Sequence, residues 1–311
     1  YDAMTYEYGR YHENALGEYN YNFMQPENGE NPVDTFFANF NWGKSEVDYS
    51  ISTAKWIHRN PYDVLAGLEL QKGGSYKTNV DWNAILDEHG KLRLSLGLYA
   101  PDTITGLGKT GEGYHTHEDL FWTGFQGDPT KGKPADQSWY GMSNLVVDKT
   151  PITNADFNTS FNTGHGKHWF VDGKISKDGE WNYRSVSGYL PTWRWWVEHS
   201  EDSTPLKGRY DFDQAYNGGN SLAFEGDLKA NSSQNVMLYS TKIPVTETTK
   251  LSVSHKGGVG AATWIAVATK EDYSEYVWKE LTPNADWSTQ TFDLGDLAGK
   301  TIYAVKMFFD H

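Results

Sequence analysis

From the N-terminus to about residue 145, short apolar runs alternate with stretches of helical spacing. FFANFNW (Phe36 to Trp42), VLAGLELQ (Val64 to Gln71) and LRLSLGLYAP (Leu92 to Pro101) are continuous apolar runs bounded by polar turns. That is the pattern of strands buried on both faces, as in a parallel sheet. Between them, Ser45 to Arg59 carries Val47, Ile51, Ala54 and Ile57 on helical spacing, and Glu13 to Met24 and Val80 to Leu86 are further helical candidates. With Tyr1 counted as the tail of a strand, strand positions recur at about 1, 37, 66 and 96. A period of roughly 30 residues is one βα unit of a (β/α)8 TIM barrel. Four such units make half a barrel, and two open parallel edges do not persist easily in water. The expectation is that a partner supplies the other half, or that four units precede Tyr1 in a longer parent protein.

From about Thr150 the helical periodicity stops. KHWFVDGK (Lys167 to Lys174), SLAFEGD (Ser221 to Asp227), KLSVSHKGG (Lys250 to Gly258) and TWIAVAT (Thr263 to Thr269) are strand-like runs separated by Gly, Asn and Asp turns. Turn signals at this regular spacing predict an antiparallel β-sandwich. The expected division is therefore a C-terminal half of a catalytic-type barrel over 1–148 and a jelly-roll-like β-sandwich region over 149–311, with Glu198 to Pro205 a polar connection inside it. YAVKMFF at the end of the chain reads as a strand with no closing partner, so the C-terminus, like the non-Met start at Tyr1, is expected to be a cut.

Charge and composition then narrow the chemistry. The net charge of -14 repels phosphates and anionic lipid, which sets aside nucleic acid and membrane-surface partners. No apolar run approaches the roughly 20 residues of a membrane span. With no cysteine there is no thiol nucleophile, thiolate zinc site or disulfide, and compartment stays open on composition alone. The chain holds 13 Trp, 20 Tyr and 14 Phe, or 15% aromatic. Any single ring is more often core filler, but so many rings in an acidic, Gly-rich chain also suit a surface that stacks on pyranose faces.

Catalytic groups of a (β/α)8 barrel gather at the C-terminal ends of its strands. Here those positions are Tyr1 and Asp2, Asn39 to Trp42, Glu69 and Gln71, and Tyr99 to Asp102, a set of rings, amides and carboxylates suited to a glycan. Glu69 is a candidate general acid or base, with a hydrogen-bonding supporting role as the alternative; no matched carboxylate pair stands at an identifiable spacing. His115, His117, Glu118 and Asp119 are metal-ligand types, but they lack a dedicated spacing and read as a polar loop. Gly106 to Gly113 lacks the context of a phosphate loop and reads as a loop too. TWRWW (Thr192 to Trp196) is either a packed strand or a stacking platform. The turn holding Asp211, Asp213, Asn217 and Asn220 is oxygen-rich and is the candidate site for a structural Ca2+, though its spacing is not that of an EF-hand. No cofactor is otherwise expected.

YDAMT, FFANFNW, NPYDVLAGLELQ, SLGLYAPD and FNTGHGKHWFVDG, in that order along the chain, resemble glycoside hydrolase family 85, most closely its Endo-D type from Gram-positive cocci. The resemblance implies a barrel followed by β-sandwich domains, with the four βα segments here as strands five to eight. It implies an endo-β-N-acetylglucosaminidase that cuts the chitobiose core of N-linked glycans by substrate-assisted, retaining catalysis. In that family an Asn orients the substrate 2-acetamido group and a Glu two residues on serves as acid and then base. That pair belongs to strand four, upstream of Tyr1, so this chain by itself is expected to be inactive until an N-terminal fragment completes the barrel. Tyr1 matches the family Tyr near the acetamido group and is a supporting catalytic residue. Asp2, His12, Asn39, Asn41, Trp42, Glu69, Gln71 and Tyr99 fall at positions that line the cleft. His12 stands where some relatives have Trp, which leaves acceptor preference open. The implied localisation is secreted or on the cell wall of a Gram-positive bacterium. A carbohydrate-binding module without catalysis, or a sandwich that only buttresses the barrel, are the competing readings.

Overall fold

The computed structural model describes residues 2–3, 14–108, 111–125, 138–146, 149–192, 196–200, 202–258 and 260–311, with backbone alone at 2–3 and 111–112. The chain divides into two compact units, one of Tyr1–Phe125 with Gly132–Leu145 and one of Gln126–Lys131 with Val146–His311.

The first unit is built on a parallel sheet whose strands stand in chain order: β1 (Asp2–Ala3), β2 (Thr35–Ala38), β3 (Val64–Glu69) and β4 (Ser95–Tyr99). Helix α1 (Lys44–Trp56) crosses from β2 to β3. Its buried positions Val47, Ile51 and Ala54 follow the helical period, and the Glu46 carboxylate caps it by accepting from the Gly43 N–H at 2.9 Å. Two single-turn helices, α2 (Leu70–Gly73) and α3 (Trp82–Ile85), occupy the β3-to-β4 crossover. After β4 comes α4 (Gly111–Thr123).

The two faces of this sheet differ. Phe36, Ala38, Val64, Ala66 and Leu68 are buried on one face and belong to the main hydrophobic cluster with Val47, Ile51, Ala54 and Trp139. The opposite face carries Phe37, Gly67 and Gly97. A Cβ at Gly67 or Gly97 would lie 2.6 Å or 2.3 Å from the Phe37 ring, so one ring lies across the two neighbouring strands and side chains are excluded beneath it.

Arg59 anchors the entry to this sheet. Only 6% exposed, it ion-pairs with Asp63 at 2.8 Å and donates to the carbonyls of Met24, Val33 and Asp34. The loop before β2 is thereby tied to the end of α1, and the buried charge is matched on every side.

Two sequence expectations change here. Over the described part of Glu13 to Met24, the chain is turns and a 3-10 turn (Tyr21–Phe23) rather than a helix. The Asn20 side chain accepts from the Gly17 N–H and donates to the Ala15 carbonyl, offering the backbone partners that a helix would otherwise supply. Conversely His115, His117, Glu118 and Asp119 lie on helix α4, not in a loop.

The second unit is antiparallel throughout. Strands β5 (His165–Val171) and β6 (Lys174–Asn182) form a hairpin whose turn, Asp172 and Gly173, has φ of 49° and 76° at its two positions. The run Lys167 to Lys174 is thus two strands and a turn, not one strand. A second hairpin pairs β8 (Lys207–Asp211) with β9 (Ser221–Glu225), following β7 (Trp196–His199). The five-stranded sheet has the order β13-β12-β15-β10-β7, formed with β10 (Ser233–Pro244), β12 (Ala262–Ala268), β13 (Tyr276–Leu281) and β15 (Thr301–Asp310). A further pair joins β11 (Lys250–Gly257) and β14 (Asn284–Asp293). Strand β15, expected to lack a closing partner, is paired on both sides, with β10 and with β12. One face of β10 buries Val236 and Leu238 in a cluster with Ile243, Val267 and Ile302. Trp193 to Trp195 lie outside the described residues; Trp196 opens the edge strand β7.

Candidate functional site

Parallel pairing puts residues in register on the same face, so the C-terminal ends of β2, β3 and β4 present one row of side chains. Glu69 is paired with Tyr99, two residues beyond the Gly67–Gly97 pair beneath Phe37. Asn39 follows in the same alternation, directly after β2 ends. Each strand therefore switches from packing residues to polar or aromatic ones as it leaves the sheet.

The local geometry of this row is set residue by residue. Glu69 caps α2, its carboxylate accepting from the Lys72 N–H at 3.3 Å while its backbone carbonyl accepts from the Thr78 hydroxyl. Tyr99 is 46% exposed and leans on the Phe40 ring, 5.2 Å away between centroids; Phe40 in turn meets Phe37 edge-on. Trp42 donates its indole N–H to the Gly67 carbonyl at 2.9 Å, which pins the β2 exit loop across β3. The Asn39 side-chain oxygen accepts from the Phe40 N–H. After Tyr99 the chain turns out of the sheet through Ala100 at φ 53°, ψ 55°, a left-handed conformation that costs a non-glycine residue about 1–2 kcal/mol.

Four of the sequence candidates are thus brought together: Trp42, Glu69 and Tyr99 occupy adjoining strand exits, with Asn39 beside them. Gln71 is not part of the row, because α2 begins at Leu70 and breaks the strand alternation before it reaches Gln71, which is exposed. Asn41 is also exposed, its N–H bonded to the Asn14 side chain. Asp2 lies in β1 in register with Thr35. Tyr1 and His12 are outside the described residues.

Phe40, within the strand-end run Asn39 to Trp42, supports Tyr99. Sequence reasoning missed one contributor, a pair: the Tyr76 hydroxyl lies 2.7 Å from His117 Nδ1 with the two rings stacked. Tyr76 sits in the connection after β3 and His117 in the helix after β4, so the two connections are joined by a partly buried hydrogen bond. Burial pushes the Tyr76 phenol above its ordinary pKa. Among the described residues no group of three or more His, Asp or Glu is arranged to hold a metal ion.

The candidate Ca2+ turn is likewise reassigned. Asp211 accepts from the N–H groups of Asp213 and Gln214 and pairs with Arg209; Asp213 binds the Lys167 ammonium. Asn217 accepts from the Asp172 N–H, and Asn220 accepts from the Thr163 N–H while donating to the Phe161 carbonyl. The oxygens are engaged by four separate sets of donors, two of them cationic, so they shape a turn and do not converge on an ion.

The sequence model of glycosyl hydrolase family 85 matches residues 1–169. The chain belongs to glycosyl hydrolase family 85. Its first unit and the start of the second fall within that match. Among solved structures, the glycoside hydrolase domain of Endo-D from Streptococcus pneumoniae R6 is 65% identical with a TM-score of 0.93, covering 100% of this chain and 49% of that one. Among curated relatives, a cytosolic endo-beta-N-acetylglucosaminidase of Danio rerio is 25% identical over 242 residues, which is 76% of this chain and 30% of that protein. Cytosolic endo-beta-N-acetylglucosaminidase 2 of Arabidopsis thaliana is 23% identical over 255 residues, 74% of this chain and 32% of that one. The family 85 chain therefore spans about a third of the length of its curated relatives. No helix among the described residues is long and apolar enough to cross a membrane.

Proposed function

We propose that this chain supplies strands five to eight of a (β/α)8 barrel, over 1–148, and a β-sandwich region, over 149–311, to an endo-β-N-acetylglucosaminidase acting on N-linked glycans. The observation that carries the reading is the row of strand exits: parallel strands in chain order, with Trp42, Glu69 and Tyr99 at their C-terminal ends beside a face filled by Phe37. Family membership and the named activity of the relatives support the reaction class.

The reaction is cleavage of the GlcNAc-β1,4-GlcNAc bond in the chitobiose core. The 2-acetamido oxygen of the substrate attacks the anomeric carbon as the glycosidic oxygen takes a proton and leaves; water then opens the resulting oxazolinium ring with retention. The Asn-x-Glu pair that orients the amide and moves these protons is contributed by the segment upstream of Tyr1. Tyr1 supports the acetamido group, and Asp2, His12, Asn39, Asn41, Trp42, Glu69, Gln71 and Tyr99 are assigned to the cleft that holds the core sugars. Among these, Trp42 and Tyr99 offer ring surface and Glu69 a hydrogen-bonding carboxylate. The complete enzyme acts outside the cell or on the cell wall of a Gram-positive bacterium, a reading supported by the bacterial origin of the structural neighbour and standing against the cytosolic relatives of animals and plants.

The test is reconstitution. The 311-residue chain is mixed with the N-terminal half of the barrel and an N-glycopeptide, and products are read by mass spectrometry. Release of free glycan, with one GlcNAc left on the peptide, is expected only from the pair. Intact glycopeptide with both halves bound to each other would sink the proposal.

A further inference from the structure

In the second unit, the five-stranded antiparallel sheet has an open face that carries a cavity of about 370 Å³, lined by Asn235, Trp264, Trp278, Lys306 and Phe308. Its construction follows from the pairing register. On one rung Asn235 of β10 faces Phe308 of β15, which faces Trp264 of β12. On the next, Lys306 of β15 and Trp278 of β13 flank Ala266 of β12. The methyl of Ala266 is short enough for the Lys306 chain to lie across it. The ammonium stands 4.7 Å from the Trp278 ring centroid and 3.7 Å from that of Tyr276.

The rings form walls, not a packed core. Phe308 lies 5.4 Å from Trp264 and 5.2 Å from Trp278, at interplanar angles of 51° and 72°. Trp278 remains 43% exposed. Two polar groups lie inside this enclosure, one of them without a hydrogen-bond partner. The Asn235 side-chain oxygen is buried with no hydrogen-bond partner. Lys306 is only 6% exposed and is held by aromatic faces, and burial lowers its pKa. A buried acceptor lacking a donor and a buried ammonium with ring faces around it each have a cost that the fold alone does not repay.

The ligand that answers all of these features presents flat apolar C–H surface, hydroxyl donors and oxygen acceptors within one small body. A purely anionic ligand would satisfy Lys306 but repel the Asn235 oxygen and the carboxylates of Glu198 and Glu280, which the register places at the two ends of the Asn235 rung. An apolar peptide side chain would leave the Asn235 oxygen without a donor and give the Lys306 ammonium no acceptor. A cation is disfavoured by the lysine. A pyranose fits, with its C–H face against Trp264 or Trp278, a hydroxyl donating to Asn235 and a ring or hydroxyl oxygen accepting from Lys306.

We propose that this face is a carbohydrate-binding site, separate from the barrel cleft, that takes a pyranose residue through Trp264, Trp278, Asn235 and Lys306. The site needs no hydrolysis, so it stands whether or not the chain contributes to a glycosidase.

The test is titration of the 311-residue chain with three soluble probes, chitotetraose, mannopentaose and 3′-sialyllactose, followed by calorimetry and indole fluorescence. Saturable binding of at least one probe is expected. Trp278→Ala and Lys306→Met should each weaken it by about tenfold or more, equivalent to about 1.4 kcal/mol, while Trp56→Ala, on α1 of the other unit, leaves it unchanged. The methionine keeps the buried stem of Lys306, so its loss of binding is not a loss of folding, and circular dichroism checks both variants. No saturable binding of any probe overturns the proposal. So does binding of equal strength in the wild type, Trp278→Ala and Lys306→Met, which would place the sugar elsewhere.

Discussion

The two units bury their sheets in different ways. In the first, parallel strands pack one face against helices and fill the other with a single ring across two glycines, so specificity sits in very few contacts. In the second, antiparallel strands share one face with a broad aliphatic cluster and leave the other face to aromatics. Damage to the first unit should therefore be steep and concentrated, and damage to the second shallow and distributed.

The sharpest way to break that contrast is Arg59→Met. It strips the partner from Asp63 and from three carbonyls at once, and should destabilise the first unit by about 3–5 kcal/mol in urea unfolding. A loss below about 1 kcal/mol would mean that water replaces the guanidinium freely. Next is Gly97→Val, which forces atoms into the Phe37 ring and should cost about 1–3 kcal/mol. Combined with Phe37→Ala it should cost less than the two changes added, and simple additivity would show that the ring has another place to go. In the second unit, Gly173→Ala meets the Trp287 ring of β14 at 2.7 Å and a φ of 76°, so the strain falls on one hairpin turn and the β14 ring it abuts. About 1 kcal/mol is expected, read as faster amide exchange in β5, β6 and the Trp287 end of β14. Trp42→Phe keeps the ring but loses the 2.9 Å bond to Gly67. It should cost about 1 kcal/mol in stability, with a rise in KM for the reconstituted enzyme.

The smallest effect is a pH response. Asp48 is hydrogen-bonded first by Lys44 and then by Arg93, which hold its carboxyl below the usual carboxylate range. A carboxyl lowered in the folded chain adds stability above its unfolded pKa, and that contribution disappears as pH falls through the lower folded value. Asp48→Asn should therefore lower stability slightly at neutral pH, where the contribution is fully present, be nearly silent at the acid end, and so flatten the acid limb of the profile below about pH 4. An unchanged acid limb would mean the pair is fully screened.

How far the sequence carried depends on where each side chain found its partner. The apolar runs at Phe36, Val64 and Leu96 read correctly as strands, but only β3 is buried nearly throughout; β2 alternates, and β4 is half-buried except at buried Gly97 and exposed Tyr99. Helix α1 was legible through the spacing of Val47, Ile51 and Ala54. The stretch before β2 was not, since Asn20 turns the backbone with its own side chain, a local choice that periodicity does not register. The DG at 172–173 was printed plainly inside a run taken as one strand. The strand-end positions of Glu69 and Tyr99 were legible from the period of the strands, whereas the Tyr76–His117 pair depends on which connections meet. Gln71 stands off the row of strand exits because α2 starts at Leu70, before the strand alternation reaches it.

Phe37, Gly67 and Gly97 also have a consequence for how such a chain changes over generations. A larger residue at 97 is survivable only in a background where position 37 has already shrunk, and a smaller residue at 37 opens a gap that 97 can fill. Position 67 stays glycine in either background, because the Ala38 carbonyl lies 2.5 Å from where its Cβ would be. Positions 37 and 97 should drift as one inherited unit rather than independently. Their aligned substitutions would then carry a record of order, with the change at 37 always coming first.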